Sequence, residues 1–466
     1  MSDTVASVAD ARPVSVWLDR PGERPAERAP EQGVVGRIST DLLVIGGGLT
    51  GLWAAVEAAG SGRDVTVVEA GRLGGGASGK CGGFINASIT HGIAHGHARW
   101  PAEMPAIVRL QQAVWDDTLD LLAAHGAADI VEPCGKFTVA TRPNQLGELD
   151  ASLEVLRSYG QTAQRLSREE MRCAVGSPSY LGGLFHANSN GLCDPVALLN
   201  ALVGIASGRG ARLVEHIRVT GLSDEGSSVV ARFEGGSISA REVLLATNAA
   251  APLRKRLRLQ VIPVYDHVIA TAPLTDSQWS VIGWASRRGI TDAGNQFHYY
   301  RPTPDGRVLF GGWDATYHFG GRVDEQLERR RATHRVLAQH LVQTFPALEG
   351  IEVTHAWGGP IDSTSRFTPT FGTAMGGKLG WSIGFTGLGV GASRFGAQVA
   401  LDLLARHDTE RTRLSMVRRS PIPFPPEPIR YPVIQFTKWS LAREDRTGKR
   451  NLWLRLLNRV GVGFDT

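Results

Sequence analysis

Asp41-Leu42-Leu43-Val44-Ile45-Gly46-Gly47-Gly48-Leu49-Thr50-Gly51 is the stretch that decides the fold. Its first five residues form a short apolar run of the kind that makes a buried parallel strand, and G-x-G-x-x-G follows at Gly46, Gly48 and Gly51. Leu49 to Ala59 then runs without a breaker until Gly60 and Gly62, which predicts a helix, and Val65 to Val68 predicts a second strand ending in Glu69. Strand, helix and strand make a βαβ unit. Gly46 suits the tight turn, Gly48 lets backbone approach a pyrophosphate, Gly51 lets helix and strand pack, and the helix N-terminus offers free N–H groups to phosphate. Glu69 lies close to the position, about 20 residues past the glycines, where a carboxylate accepts hydrogen bonds from a ribose 2′-hydroxyl. A 2′-phosphate would be repelled there, so NADP is disfavoured.

Outward from this unit, the chain is long enough for two intertwined domains at 466 residues. With 42% hydrophobic and 20% charged residues it has the composition of an ordinary soluble globular protein, and disorder is not indicated. The net charge of +5 comes from scattered Arg, and no nucleic-acid motif accompanies it. Cys81, Cys134, Cys173 and Cys193 have no C-x-x-C spacing, which fits a reducing setting. The sequence has no run of about 18 apolar residues and no signal-peptide pattern, so a cytoplasmic location is expected.

Gly74-Gly75-Gly76-Ala77-Ser78-Gly79-Lys80-Cys81-Gly82-Gly83 is too glycine-rich for helix or strand and suits a loop laid along a ligand. Here the sequence resembles the FAD-dependent oxidoreductases of the D-amino-acid oxidase superfamily, which follow the acidic residue with a G-x-G-A-S-type loop. Within it, the γ-glutamylputrescine oxidase-like branch is the nearest in appearance, typically reading G-A-S-G-R-N-G-G; Lys80 and Cys81 replace the Arg and Asn. The resemblance implies FAD as cofactor, with Ser78 and Cys81 beside it. Glu215 to Val219 resembles the segment whose backbone amide contacts adenine, which carries Val219 over, and Ala246-Thr247-Asn248-Ala249 resembles a signature that closes the nucleotide-binding sheet. Gly384-Phe385-Thr386-Gly387-Leu388-Gly389-Val390-Gly391 resembles the flavin-contacting G-x-S-G-x-G and opens a helix to Leu404. Gly384, Gly387, Leu388 and Gly389 are thereby expected near N1 and O2 of the ring, where free N–H groups and the helix dipole stabilise the charge of reduced flavin.

The fold expected is α/β, α+β overall: a Rossmann-like FAD-binding domain with an inserted mixed or antiparallel-sheet substrate domain. The divisions are an arm at 1–40, the FAD domain at 41–90, 185–250 and 355–410, the substrate domain at 91–184 and 251–354, and a tail at 411–466. Trp17 and Leu18 are expected to pin the arm. Helices are expected at 105–125, 149–159 and 323–345, and strands at 136–140, 261–271, 297–301 and 307–310. The tail is basic, Pro-rich and then helical around Leu452 to Leu457; it is expected to wrap the FAD domain, with membrane contact the lesser reading.

For the substrate side, His91, Tyr300 and Arg301 are the candidates. His91, His95 and His97 have metal-like spacing, but glycines break the local structure and no carboxylate or cysteine joins them, so no metal is expected. In Phe297-His298-Tyr299-Tyr300-Arg301, alternation sends His298 and Tyr300 to one face and Tyr299 and Arg301 to the other, and one pair should face the pocket. The resemblance implies oxidation of a C–N bond in a small amine or amino acid: hydride passes to flavin N5 from a carbon held about 3 to 3.5 Å away, and water hydrolyses the imine. Two departures bear on substrate and acceptor. Pro360 and Ile361 stand where relatives often carry a carboxylate-clamping Arg, for which Arg301 is a substitute, and Val308, Leu309 and Phe310 stand where some relatives carry an oxygen-activating Lys. The acceptor is thus O2 or quinone. Rival readings are a membrane-associated quinone-linked amine dehydrogenase, a biosynthetic flavoenzyme acting on a specialised amine, and a flavin-binding module without turnover. Oligomeric state is not legible.

Overall fold

Two large sheets organise the computed structural model, which describes residues 8–20, 31–32, 36–250 and 253–463. The first has nine strands. Gly36–Ile45 lies between Val65–Val68 and Gly236–Leu245, parallel to both, and Arg212–Glu215 extends the parallel run beyond Val65–Val68. Leu42 and Val44 pack beneath helices on one face, while Leu43 packs on the other with Val214, Ala231, Leu257 and Ile383, so the strand is buried on both faces and continuously apolar. Leu49–Gly60 and Gly389–Leu404 pack on one face, burying Leu52, Trp53 and Val56 in a core shared with Leu198, Leu202 and Ala397. The hairpin Val219–Asp224 and Val229–Phe233 completes the other edge.

The second sheet has eight strands in the order Val353–Thr364, Val261–Thr271, Val308–Gly312, His298–Pro302, Gly289–Asp292, Lys136–Ala140, Gly182–His186, Ala163–Leu166. Its register explains its two faces. Phe137, Ile290, Tyr300, Phe310 and Ile269 are successive cross-strand neighbours and pack with Leu337 and Leu341 of the helix Arg331–Thr344. One residue along, Thr138, Thr291, Tyr299 and Gly311 form the matching row on the opposite face. A small third sheet, Phe84–Asn86, Asn190–Cys193 and Val131–Glu132, joins the glycine loop to this domain.

Several expectations shift. The stretch read as an arm contributes to the first sheet: Glu31–Gln32 pairs with Val214 and Glu215, and Gly36 to Thr40 pairs with Gly236 to Ala240, because Ile38 finds an apolar neighbour in Ile238. Trp17 is buried, and its indole N–H donates to the Cys81 carbonyl at 2.9 Å, while Leu18 is exposed. Val353–Thr364 pairs along Val261–Thr271 in the second sheet. The helix expected at 323–345 is a short 3-10 turn at Glu325–Glu328 followed by Arg331–Thr344. The tail ends in two longer helices, Arg430–Thr447 and Leu452–Arg459, and docks on the substrate side: Asp445 accepts the N–H groups of Asn295 and Gln296 at 2.9 and 2.7 Å, and Lys438 pairs with Asp314. Apolar positions spread around the longer helix hid its periodicity.

Candidate active site

One cavity of about 2200 Å³ runs from the βαβ turn, past the glycine loop, to the polar face of the second sheet, and the two C-terminal helices roof it. At its nucleotide end, Gly46 turns with φ of +111°, and a Cβ there would stand 2.4 Å from the Ala246 carbonyl oxygen. Glu69 accepts the Gly47 N–H at 2.8 Å and the Gly71 N–H at 2.9 Å, which fixes its carboxylate on the cavity wall. Ser78 Oγ accepts the Leu49 N–H at 3.1 Å. Val219 also lines the cavity, on a segment anchored by the Ile217 N–H to the Glu69 carbonyl at 2.8 Å.

At the far end, Gly389–Leu404 begins on the wall with no side-chain cap from its N-cap residue, and Leu49–Gly60 likewise has a glycine as N-cap, so beyond the Leu49 N–H held by Ser78 both helix N-termini present backbone donors to an anionic ligand. Gly387, Leu388 and Gly389 line the cavity. Gly384 and Gly51 lie behind the wall. Gly384 donates its N–H to Asp362 at 2.5 Å, and Gly51 packs against the carbonyl of Gly46. Asp362 also accepts the Phe385 N–H at 3.1 Å, and burial pushes its carboxyl up to about 7.

His91 lines the cavity with φ of +58° and contacts the Thr386 carbonyl through Nε2 at 2.7 Å. A carbonyl only accepts, so Nε2 carries the proton; burial, with the Lys136 ammonium adding to it, lowers the pKa to about 4 and keeps the ring neutral. His95 and His97 turn elsewhere, to the Arg366 carbonyl at 3.2 Å and the Tyr159 hydroxyl at 2.8 Å. Among the described residues no three His, Cys, Asp or Glu side chains converge for a metal.

The structure does not bring Tyr300 and Arg301 to the cavity. Tyr300 is in the apolar row, bonded to the Tyr180 hydroxyl at 2.9 Å and to Asp292 at 3.1 Å. Arg301 shares a face with Tyr299 but lies beyond the cavity, donating to the carbonyls of Gly83, Cys193 and Pro302 at 2.9, 2.7 and 3.0 Å. Tyr299 is the residue of this strand that faces inward, and its hydroxyl donates to Asp266 at 2.5 Å. Burial raises the Asp266 carboxyl to about 6.

Cys81 lines the cavity as a thiol: burial pushes it up to about 11, and its Sγ contacts the Ser78 carbonyl at 3.3 Å. Lys80, next to it in sequence, is held by Glu328 at 2.7 Å. Sequence reasoning missed Lys80–Glu328, Asp266, Asp362 and Lys136. For Lys136 the signal was present: in Lys136-Phe137-Thr138-Val139-Ala140, alternation puts Lys136 and Thr138 together on the polar face.

A parallel-sheet nucleotide cradle, a second open helix N-terminus and a walled cavity between them define a dinucleotide-dependent oxidoreductase. The chain matches the family described as FAD dependent oxidoreductase over residues 41–403, and it belongs to that family. It is 29% identical over 381 residues to gamma-glutamylputrescine oxidoreductase of Escherichia coli (strain K12), covering 80% of this chain and 85% of that one. It is 26% identical over 401 residues to the probable oxidoreductase OrdL of Haemophilus influenzae, covering 82% and 86%. Among solved structures, glycine oxidase from Geobacillus kaustophilus superposes with a TM-score of 0.66 at 22% identity, covering 82% of this chain and 99% of that one. The protein is therefore an enzyme, an oxidoreductase that uses FAD. The cavity fits the cofactor: a Cβ at Gly48 would meet only the movable Ser78 hydroxyl, at 2.9 Å, so the cradle is open where the pyrophosphate needs it.

Proposed function

We propose that this enzyme oxidises a C–N bond of a small amine that also carries a carboxylate. Lys136 carries the reading. Its ammonium faces the cavity from the second sheet, and among the described residues it has no carboxylate within ion-pair distance. Burial lowers its pKa, so an anionic ligand is what would stabilise its charge. His186, its cross-strand neighbour, is pushed down to about 3 by burial and stays neutral. Lys136 thus offers an alternative to the arginine clamp that Pro360 and Ile361 replace.

Across the same face, Asp266 offers the site for the nitrogen end. With a pKa near 6 its carboxylate is charged at neutral pH, is oriented by the Tyr299 hydroxyl, and accepts an ammonium hydrogen bond or its proton. FAD, when bound, accepts the electron pair of the breaking C–H bond while the nitrogen loses a proton, leaving an imine for water to hydrolyse. Lys136 and Asp266 fix the two ends of the substrate, and the helical roof limits water. Two relatives are named for substrates with both groups, glycine and gamma-glutamylputrescine. The test is anaerobic bleaching of the yellow holoenzyme with amino acids and their amides. Lys136→Met should raise the half-saturating acid concentration by roughly 10- to 100-fold and leave amides unaffected; equal behaviour of acids and amides in the native enzyme refutes the carboxylate site.

A further inference from the structure

The roof of the cavity has an outer face that none of the described residues covers. The helices Arg430–Thr447 and Leu452–Arg459 are clamped together by the Trp453 indole N–H on Thr437 and by Asn451 on Ser440, both at 2.9 Å. Their inner side chains, Val433, Leu441, Leu454 and Leu457 among them, line the cavity. Their outer side leaves Phe436 47%, Trp439 52%, Leu452 81% and Leu456 52% exposed, with Phe436 stacked on Trp439 at 5.6 Å. Such contiguous exposed apolar groups mark a contact surface.

Charge selects the partner. Residues 430–463 hold eight Lys and Arg and two acids, a net +6 against +5 for the entire chain. Both acids are engaged, Glu444 with Arg450 and Asp445 with Asn295, whereas Arg446, Lys449, Arg455 and Arg459 are exposed beside the apolar residues. A second copy on this face would set +6 against +6, since a two-fold interface uses the same patch twice. The short helix Leu452–Arg459 is amphipathic, and with Phe436 of the longer helix against Trp453 and with Lys and Arg exposed on both helices the face suits the headgroup boundary of an anionic bilayer. Among the described residues no helix is long and apolar enough to cross a membrane, so the contact is with the surface.

We propose that these two helices dock the enzyme on an anionic membrane surface, with the cavity roof as the docking element. The docking is tested by sedimenting purified holoenzyme with vesicles of phosphatidylcholine alone and of phosphatidylcholine mixed with phosphatidylglycerol, at low and high salt. A double variant carrying Leu452→Glu and Leu456→Glu, two exposed positions off the cavity wall, is run in parallel. Native protein should pellet with the anionic vesicles, at least ~10-fold more weakly in high salt and with neutral vesicles, and the variant should lose binding by ~10-fold or more. Flavin content and anaerobic bleaching of the variant should stay native. Native protein left in the supernatant with anionic vesicles overturns the proposal, as does undiminished binding of the variant. A variant whose sedimentation without vesicles shows a smaller assembly than native also overturns it, making the face a self-interface.

Discussion

Two alanine substitutions one helical turn apart should fail in opposite ways. At Gly51 a Cβ would stand 1.8 Å from the Gly46 carbonyl oxygen and 3.2 Å from Val44 Cγ1. Ordinary contact needs about 3.5 Å, so the helix would have to retreat ~1.7 Å from a strand that is buried on both sides. Overpacking against backbone of this kind costs about 3 kcal/mol or more. At Gly48 the nearest atom is the Ser78 hydroxyl at 2.9 Å, which rotates away, and the backbone is extended with φ of −84°. The cost to the apoprotein there is within about 1 kcal/mol, the size of a helix-cap change. The added methyl instead occupies the approach of the pyrophosphate, and FAD affinity should fall roughly 10- to 100-fold, about 1.4 to 2.8 kcal/mol. Urea unfolding of both apoproteins, with FAD titration of whatever folds, separates the two. An apoprotein of Gly48→Ala as unstable as Gly51→Ala, or one that binds FAD normally, would refute the cradle.

Three further outcomes follow from the site. Arg301→Ala removes a buried donor from the carbonyls of Cys193 and Pro302 and from that of Gly83, which keeps the Cys193 N–H, and should cost about 2 to 3 kcal/mol in thermal unfolding with substrate KM unchanged; a raised KM at native stability would return Arg301 to the pocket. Burial raises Asp362 to about 7, so the folded protein keeps a proton that the unfolded chain gives up from about pH 4. Its contribution favours folding at low pH and is lost as pH rises to about 7; Asp362→Asn should remove that fall from the native stability profile, and identical slopes across this window contradict it. Because burial holds Cys81 as a thiol near 11, acid precipitation should release all FAD into the supernatant; colour kept in the pellet would show a tether.

The parts of this molecule that the sequence disclosed are those set by short-range physics. Gly46, Gly48 and Gly51 each answer a local demand of one turn, and the apolar run before them has one stable use. The open helix start at Gly387 to Gly389 was legible for the same reason, with the resemblance locating it. The strand Phe297 to Arg301 was half legible. Alternation separated Tyr299 from Tyr300, but the choice of face depends on what packs beneath, and that is Leu337 and Leu341 from a helix some 40 residues later. An apolar row through Phe137, Ile290 and Phe310 captured Tyr300, leaving Tyr299 for the cavity.

The contrast between Arg301, bound to backbone carbonyls, and Lys136, on the cavity wall, shows where such reasoning stops. Both are cations on strands of one sheet, and arginine was the better candidate for a carboxylate because its fork binds one bidentately. The same five donors make arginine the better cross-brace for backbone. Here the Gly83 and Cys193 carbonyls arrive from a loop and a strand far apart in sequence, the guanidinium carbon stands over the Trp17 ring 5.3 Å from its centroid, and the Nε and Nη1 donors are spent inside the fold. Lysine has a single compact head and a flexible stem, so it holds charge at a cavity wall without being drawn into such a brace. With its cross-strand neighbour His186 kept neutral by burial, Lys136 is the cation left for a ligand on that part of the wall. That Arg301 is spent on the fold is decided by the carbonyls that distant segments bring to it, and a one-dimensional pattern does not encode that.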